Sequence, residues 1–383
     1  MISMIFKNNN KIKIFSLFGF LIFISFFLLA PRLEAQNNTS AGAKMQKAKV
    51  IEVVNELEKT REDNSIFIQQ DLKLEILKGE NKGVQVYFYG ISDLEVFSSS
   101  YYQTGDRVFI DSYLDENGGE TYYVVDTVRT KALIILALIF IAILIFVGRF
   151  KGFRALISLI LSFIVIVKFI LPQILAGQDP FLVSLIGGLI IMTIIIYLTE
   201  GWHRKSHLAI LSVFISLISI LALSLIFVGL ADLSGLAQEE AAFLVGVGDL
   251  QINFRGLLLA GFIIGAIGVL DDIIVGQIEA TDSLREANSN LSKKKIFTLA
   301  YRVGNTHLGA IVNTLFLTYT GAALPLLLLF ILNQSSGLSL ERFFSTEAVA
   351  TEVLRTLVGS IGVMLSMPIA TFFGAFYGKV KKN

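Results

Sequence analysis

The sequence contains no cysteine, which excludes disulfides, thiolate metal sites and thiol nucleophiles. Histidine is nearly as scarce. His203, His207 and His307 are the whole supply among 383 residues, too little for a conventional zinc site. Charge is thin too: 16% of residues are charged, where a soluble globular chain carries about a quarter. No glycine-rich phosphate loop, HExxH or GxSxG is present. Nothing therefore points to a cofactor, a metal ion, a nucleic-acid partner or an enzyme. An intramembrane enzyme would need a nucleophile paired with a general base, and the apolar stretches show acids without such a partner.

What is abundant is apolar sequence, 54% of the chain. It is gathered into runs of roughly 17 residues or more, long enough to cross about 30 Å of hydrocarbon at 1.5 Å per residue. Lys7, Lys11 and Lys13 precede the first run, Ile14–Ala30, so residues 1–35 read as a signal peptide or a signal anchor. Seven more spans are expected at Ala132–Val147, Ala155–Leu171, Phe181–Leu198, Leu208–Leu230, Leu257–Ile278, Leu308–Leu332 and about Ala348–Tyr377. Alternate connections collect the cations: Arg149, Lys151 and Arg154; Arg204 and Lys205; Arg285, Lys293 to Lys295 and Arg302; Lys379, Lys381 and Lys382. The intervening connections hold Arg342, with Arg255 at a boundary. The positive-inside rule then places the C-terminus in the cytoplasm of a bacterial cell.

Residues 36–130 have a different texture. Leu72, Leu74 and Ile76 alternate with Asp71, Lys73 and Glu75, and Val84, Val86 and Phe88 repeat the pattern beyond a Lys78–Gly83 turn. A second hairpin joins Arg107–Tyr113 to Thr121–Val128 through Asp115-Glu116-Asn117-Gly118-Gly119. With a strand near Lys49–Val54, about five short strands result, enough for an OB-like barrel or a sandwich on the extracytoplasmic side. The expected architecture is an all-α polytopic membrane bundle over 131–383 with this small β-rich domain attached.

Asp271 and Asp272 interrupt the fifth span, and ionisable groups inside a span mark ion or proton sites unless they merely cap the helix at an interface. Arg302 and His307 are the nearest cationic candidates. Thr306, Asn313 and Thr320 recur every seven residues, nearly one helix face, which is suited to lining a path or to packing between helices. Glycines 187, 188, 261, 265, 268, 359 and 362 would permit close helix approach. Lys168 and Arg355, both in apolar surroundings, are expected to snorkel, and Trp202 reads as an interfacial anchor. In the stretch 273–307, Ala280, Leu284, Ala287 and Leu291 form an amphipathic stripe expected at the cytoplasmic surface or docked under the bundle.

Three segments, GRFKGFRALISL (148–159), GVLDDIIVGQ (268–277) and LAYRVGNTHLGAIVNTLFLTYTGAALPLLLL (299–329), resemble in order the YibE/F-like family of bacterial multi-pass membrane proteins. Family members often carry a charged pair where Asn305 and Thr306 stand here, so no ionic role is carried over to those positions. The resemblance implies an architecture in the plasma membrane and no particular substrate. Two functions are weighed. One is a secondary transporter or permease for a small solute or ion, with Asp271 and Asp272 as the coupling site and Arg302, His307, Asn313 and Thr320 around it. The other is a scaffold or sensor whose outer β-domain binds an envelope partner. The bilayer is the one partner in common, and a homo-oligomer or a second family member is left open.

Overall fold

The computed structural model describes residues 45–60, 66–79, 81–91, 101–114, 119–246, 252–333 and 339–378. The expected signal segment and the closing lysines lie outside the described residues. The chain forms two compact units, Glu34–Ile143 and Leu144–Asn383.

The first unit holds one antiparallel sheet of β1 (Gln46–Thr60), β2 (Ile66–Ile76), β3 (Gln85–Tyr89), β4 (Arg107–Leu114) and β5 (Glu120–Thr127), in the order β3-β2-β1-β4-β5. Period-two alternation builds its core. Leu72, Leu74 and Ile76 point inward with Ala48, Val50, Val108 and Ile110, and the charged residues between them turn outward. Register shifts after Val50 and Val53 bend the long β1, so that its start pairs with β4 while the strand follows β2 almost throughout. The edge strands β3 and β5 approach one another, so the sheet curls.

Two buried glutamines went unnoticed in the alternation. Gln70 acts as a rung of backbone: its amide donates to the Tyr102 carbonyl at 3.1 Å and accepts from the Tyr102 N–H at 2.8 Å. Gln69 lies beside it, also buried.

The helices are α1 (Thr130–Val165), α2 (Leu171–Leu175), α3 (Pro180–Glu200), α4 (Arg204–Leu230), α5 (Glu239–Leu244), α6 (Phe254–Ala287), α7 (Lys293–Ala322), α8 (Leu324–Asn333), α9 (Leu340–Phe344) and α10 (Glu347–Tyr377). A π-helical turn, Ile166–Ile170, joins α1 to α2 and carries the exposed Lys168. Five helical stretches are long and apolar enough to cross a membrane: Thr130–Leu175, α3, α4, α6 and α10. A sixth results if α7 and α8, bent by 61°, are taken together.

Two breaks separate this number from the seven apolar runs. The stretch Thr130–Leu175 contains two of the runs, and between them Arg149 leaves helical geometry at φ 48, ψ −129. A Cβ on Gly152 would overlap the Leu144 carbonyl oxygen. In an unbroken helix eight residues apart would mean about 12 Å. The chain therefore turns sharply here. The second break, at Ala323, comes just before Pro325, whose ring collides with the carbonyl four residues earlier and has no N–H to donate.

Within 273–307, expected to carry an amphipathic segment at the cytoplasmic surface or docked under the bundle, α6 continues to Ala287 and, after a short turn, α7 begins at Lys293. The buried stripe of this part of α6 is Ile274, Ile278, Thr281 and Arg285, one position away from the apolar stripe of the sequence. The cause is α10, against which this face packs. The core of the bundle gathers Met192, Leu217, Ile220, Ile263, Leu270 and Ile274 from α3, α4 and α6. Of the glycines expected at contacts, 187, 188 and 362 meet facing side chains and Gly265 meets the Tyr319 hydroxyl, whereas 261, 268 and 359 meet nothing within 4 Å.

Candidate functional site

Three helices that pack on one another, α6, α7 and α10, leave a cleft of about 350 Å³. α6 supplies Asp272, Ile273, Gly276 and Gln277; α7 supplies Val303, Gly304, His307, Ala310 and Ile311; α10 supplies Met367. Of the six candidate residues, Asp272 and His307 line this cleft. Adjacent positions on a helix differ by about 100°, and the two aspartates accordingly part company. Asp272 is exposed to the cleft, whereas the charged neighbours of the half-buried Asp271 are Asp272 and Glu200 of α3. Among the described residues Asp271 Oδ1 is buried without a hydrogen-bond partner. Arg302, Asn313 and Thr320 do not line the cleft; Arg302 and Asn313 are exposed and Thr320 is half-buried.

Gln277 holds the cleft's inner end together. The Thr371 hydroxyl donates to the Met367 carbonyl at 2.7 Å, so toward Gln277 it is an acceptor. With the Gln277 nitrogen turned to Thr371 Oγ1 (2.8 Å) and the Ala300 carbonyl (3.1 Å), its oxygen accepts from the Gly304 N–H at 3.3 Å. One amide thus ties α6 to α7 and α10. Gly304 permits this approach, since a Cβ there would overlap the Gln277 amide. Gln277 is a functional candidate the sequence reading passed over, although it is the one amide in the apolar part of α6.

Histidine placement narrows the chemistry further. His207 Nδ1 lies 2.6 Å from the Tyr197 hydroxyl, and Tyr197 stacks on Trp202 with ring centres 4.2 Å apart. His203 Nδ1 lies 3.0 Å from the Glu200 carbonyl. His307 alone among the three faces the cleft. Among the described residues no group of three or more His, Asp or Glu is placed to hold a metal ion.

Several charges elsewhere in the bundle have structural partners. Lys205 Nζ pairs with Glu279 Oε2 at 2.5 Å, and both line a small crevice with Glu200. Arg285 donates to the carbonyls of Gly374 (3.0 Å) and Ala375 (2.8 Å), and Arg204 to that of Tyr377 (2.9 Å), so two arginines cap the end of α10. Arg355, expected to snorkel, pairs with Glu352 at 2.9 Å, one turn nearer the start of α10, and lies over the Phe262 ring at 5.6 Å.

Long apolar helices packed into a bundle, joined to a small antiparallel sheet, define a polytopic membrane protein. Within that class the chain belongs to the YibE/F-like family: the model of the YibE/F-like protein matches residues 136–379, the helical part of the chain. Comparison with curated proteins and with solved structures gives no match.

Proposed function

We propose that this protein is a secondary transporter or permease for a small solute or ion, working from the α6/α7/α10 cleft. The observation that carries the reading is Asp272 and His307 facing one cleft among helices apolar enough for a bilayer. Ionisable side chains at such depth are costly, and they mark ion or proton paths where they occur. A carboxylate and an imidazole across a cleft can pass a proton between them or hold a cation. In this reading the chain crosses the membrane seven times, with the break at Arg149 as a turn between two crossings and α7 with α8 as one bent crossing. The sheet lies outside, and the C-terminus lies in the cytoplasm of a bacterial cell. Cations at alternate connections support that orientation.

The test is reconstitution of the full chain into liposomes holding a pH-sensitive dye, with an imposed potassium diffusion potential. Wild type acidifies or alkalinises the lumen, Asp272→Asn abolishes the flux, and Asp271→Asn reduces it less. Equal flux from wild type and Asp272→Asn removes the cleft from function.

A second reading, an envelope-binding scaffold, draws on exposed rings of the sheet: Tyr87 and Tyr89 stack 6.2 Å apart on β3, and Tyr113 and Tyr123 lie 5.8 Å apart on β4 and β5. Deleting residues 36–128 separates the two, because a permease keeps its flux and a scaffold loses its phenotype.

A further inference from the structure

We propose that a second copy of this chain packs against the outward face of α7, with the Asn313 side chains of the two copies hydrogen-bonded to each other. The inference uses the membrane reading of α7 but not the transport reading.

The depth of Asn313 follows from helix register. Gly304 lies against Gln277 and the Tyr319 hydroxyl lies beside Gly265, so α6 and α7 run antiparallel and Asn313 falls level with about Leu270. That level is inside the apolar window of α6. The face of α7 turned to α6 and α10 carries Ala300, Gly304, Ile311 and Leu315, whereas Gly309, Asn313 and Phe316 are exposed on another side.

Hydroxyls near this exposed face are already satisfied. Thr306 donates to the Val303 carbonyl at 2.6 Å and Thr314 to the Ala310 carbonyl at 2.9 Å, both within α7. The Asn313 amide makes no such bond here, and among the described residues it has no hydrogen-bond partner. Lipid tails offer neither donor nor acceptor, so a carboxamide at this depth needs one from protein or water.

The rest of the chain has little to offer. Of the remaining apolar runs, Leu133–Val147 has no polar side chain, and Ile14–Ala30, outside the described residues, has the hydroxyls of Ser16 and Ser25 but no amide or ionisable side chain. A second α7 has an amide. Asparagine carries a donor and an acceptor on one group, so it complements its own image across a two-fold axis. Both copies insert in the same orientation, so the axis runs along the membrane normal and equal depths meet. Gly309, one turn away, has open space where a Cβ would be and lets the two backbones approach.

The absence of cysteine makes the test direct. Gly309→Cys and Phe316→Cys, each with Asn313 intact, are oxidised in membranes, with Ile311→Cys in the cleft as the comparison. The expected result is a disulfide-linked dimer from positions 309 and 316 and none from 311. In detergent, light scattering should give a dimer for wild type and Asn313→Gln and a monomer for Asn313→Leu. A face open to water instead would leave Gly309→Cys uncrosslinked and labelled by a water-soluble maleimide, which overturns the proposal. Equal cross-linking at 311, or a wild-type monomer, overturns it as well.

Discussion

At the scale of single residues, the contact between Gln277 and Gly304 is the tightest joint in the candidate site. A methyl group on Gly304 collides with the amide that bridges α6, α7 and α10. Gly304→Ala should therefore destabilise the bundle by about 1–3 kcal/mol, the usual cost of overpacking. In a Gln277→Ala background the same change should cost less, because the nearer obstacle is gone and only the flexible Met367 side chain, 2.9 Å away, has to give. Thermal unfolding of wild type and the three variants in detergent closes the cycle, and equal costs in both backgrounds would show that the two residues do not meet.

Tyr122, in the sheet, offers a pH signature. Its hydroxyl donates to the Glu120 carboxylate, and this bond, with burial and the nearby negative charge, pushes its pKa from 10.0 up to about 12. The folded state thus favours the protonated phenol. The resulting stabilisation is complete below pH 10 and is lost as pH rises through 12. Tyr122→Phe should remove the highest step from a phenolate absorbance titration of the folded protein and flatten stability over that window. An unchanged titration would place the hydroxyl in water.

At the scale of elements, the end of α10 shows how a helix terminus is closed in this bundle. Arg285 reaches from α6 to two terminal carbonyls, and Arg204 reaches a third from α4. Each is a charge-assisted bond placed at the negative end of a helix dipole. Arg285→Met should lower stability by about 1.5–3 kcal/mol, the range for hydrogen bonds to charged groups. Arg285→Lys should recover part of it, through charge without the fork. A detergent melting series reads both, and an Arg285→Met protein as stable as wild type would mean the cap contributes nothing.

Such joints are hard to foresee from sequence. Arg285 looks like one more cytoplasmic cation, and the apolar stripe Ala280, Leu284, Ala287 and Leu291 suggests a different buried face. The face actually buried carries Thr281, whose hydroxyl donates to the Ile278 carbonyl of its own helix, and Arg285, whose partners are carbonyls of α10, so polar groups with partners compete successfully with small apolar ones.

At the scale of the whole molecule, the long apolar stretches and the β hairpins are legible because lipid and the pleat each impose a simple period. Leu72, Leu74 and Ile76 are buried as their alternation requires. The number of helices that stand alone is less legible, since hydropathy does not register the turn at Arg149 or the 61° bend before Pro325. Nor do two adjacent aspartates in one string reveal that Asp271 neighbours Glu200 while Asp272 lines the cleft that His307 also lines. Side choice depends on helix phase against neighbours that lie far off along the chain. The family match covers the helices and leaves the sheet outside it.

Everything proposed for the cleft depends on the chain weaving through a bilayer with its cations inside. The native absence of cysteine permits single-cysteine variants at Lys82 in the turn between β2 and β3, at Lys151 beyond the first break and at Lys294 at the start of α7. A membrane-impermeant maleimide applied to intact cells should label position 82, and positions 151 and 294 only after lysis. Labelling of 151 or 294 from outside as readily as 82 would contradict the topology and, with it, the assignment of the cleft to a transport path.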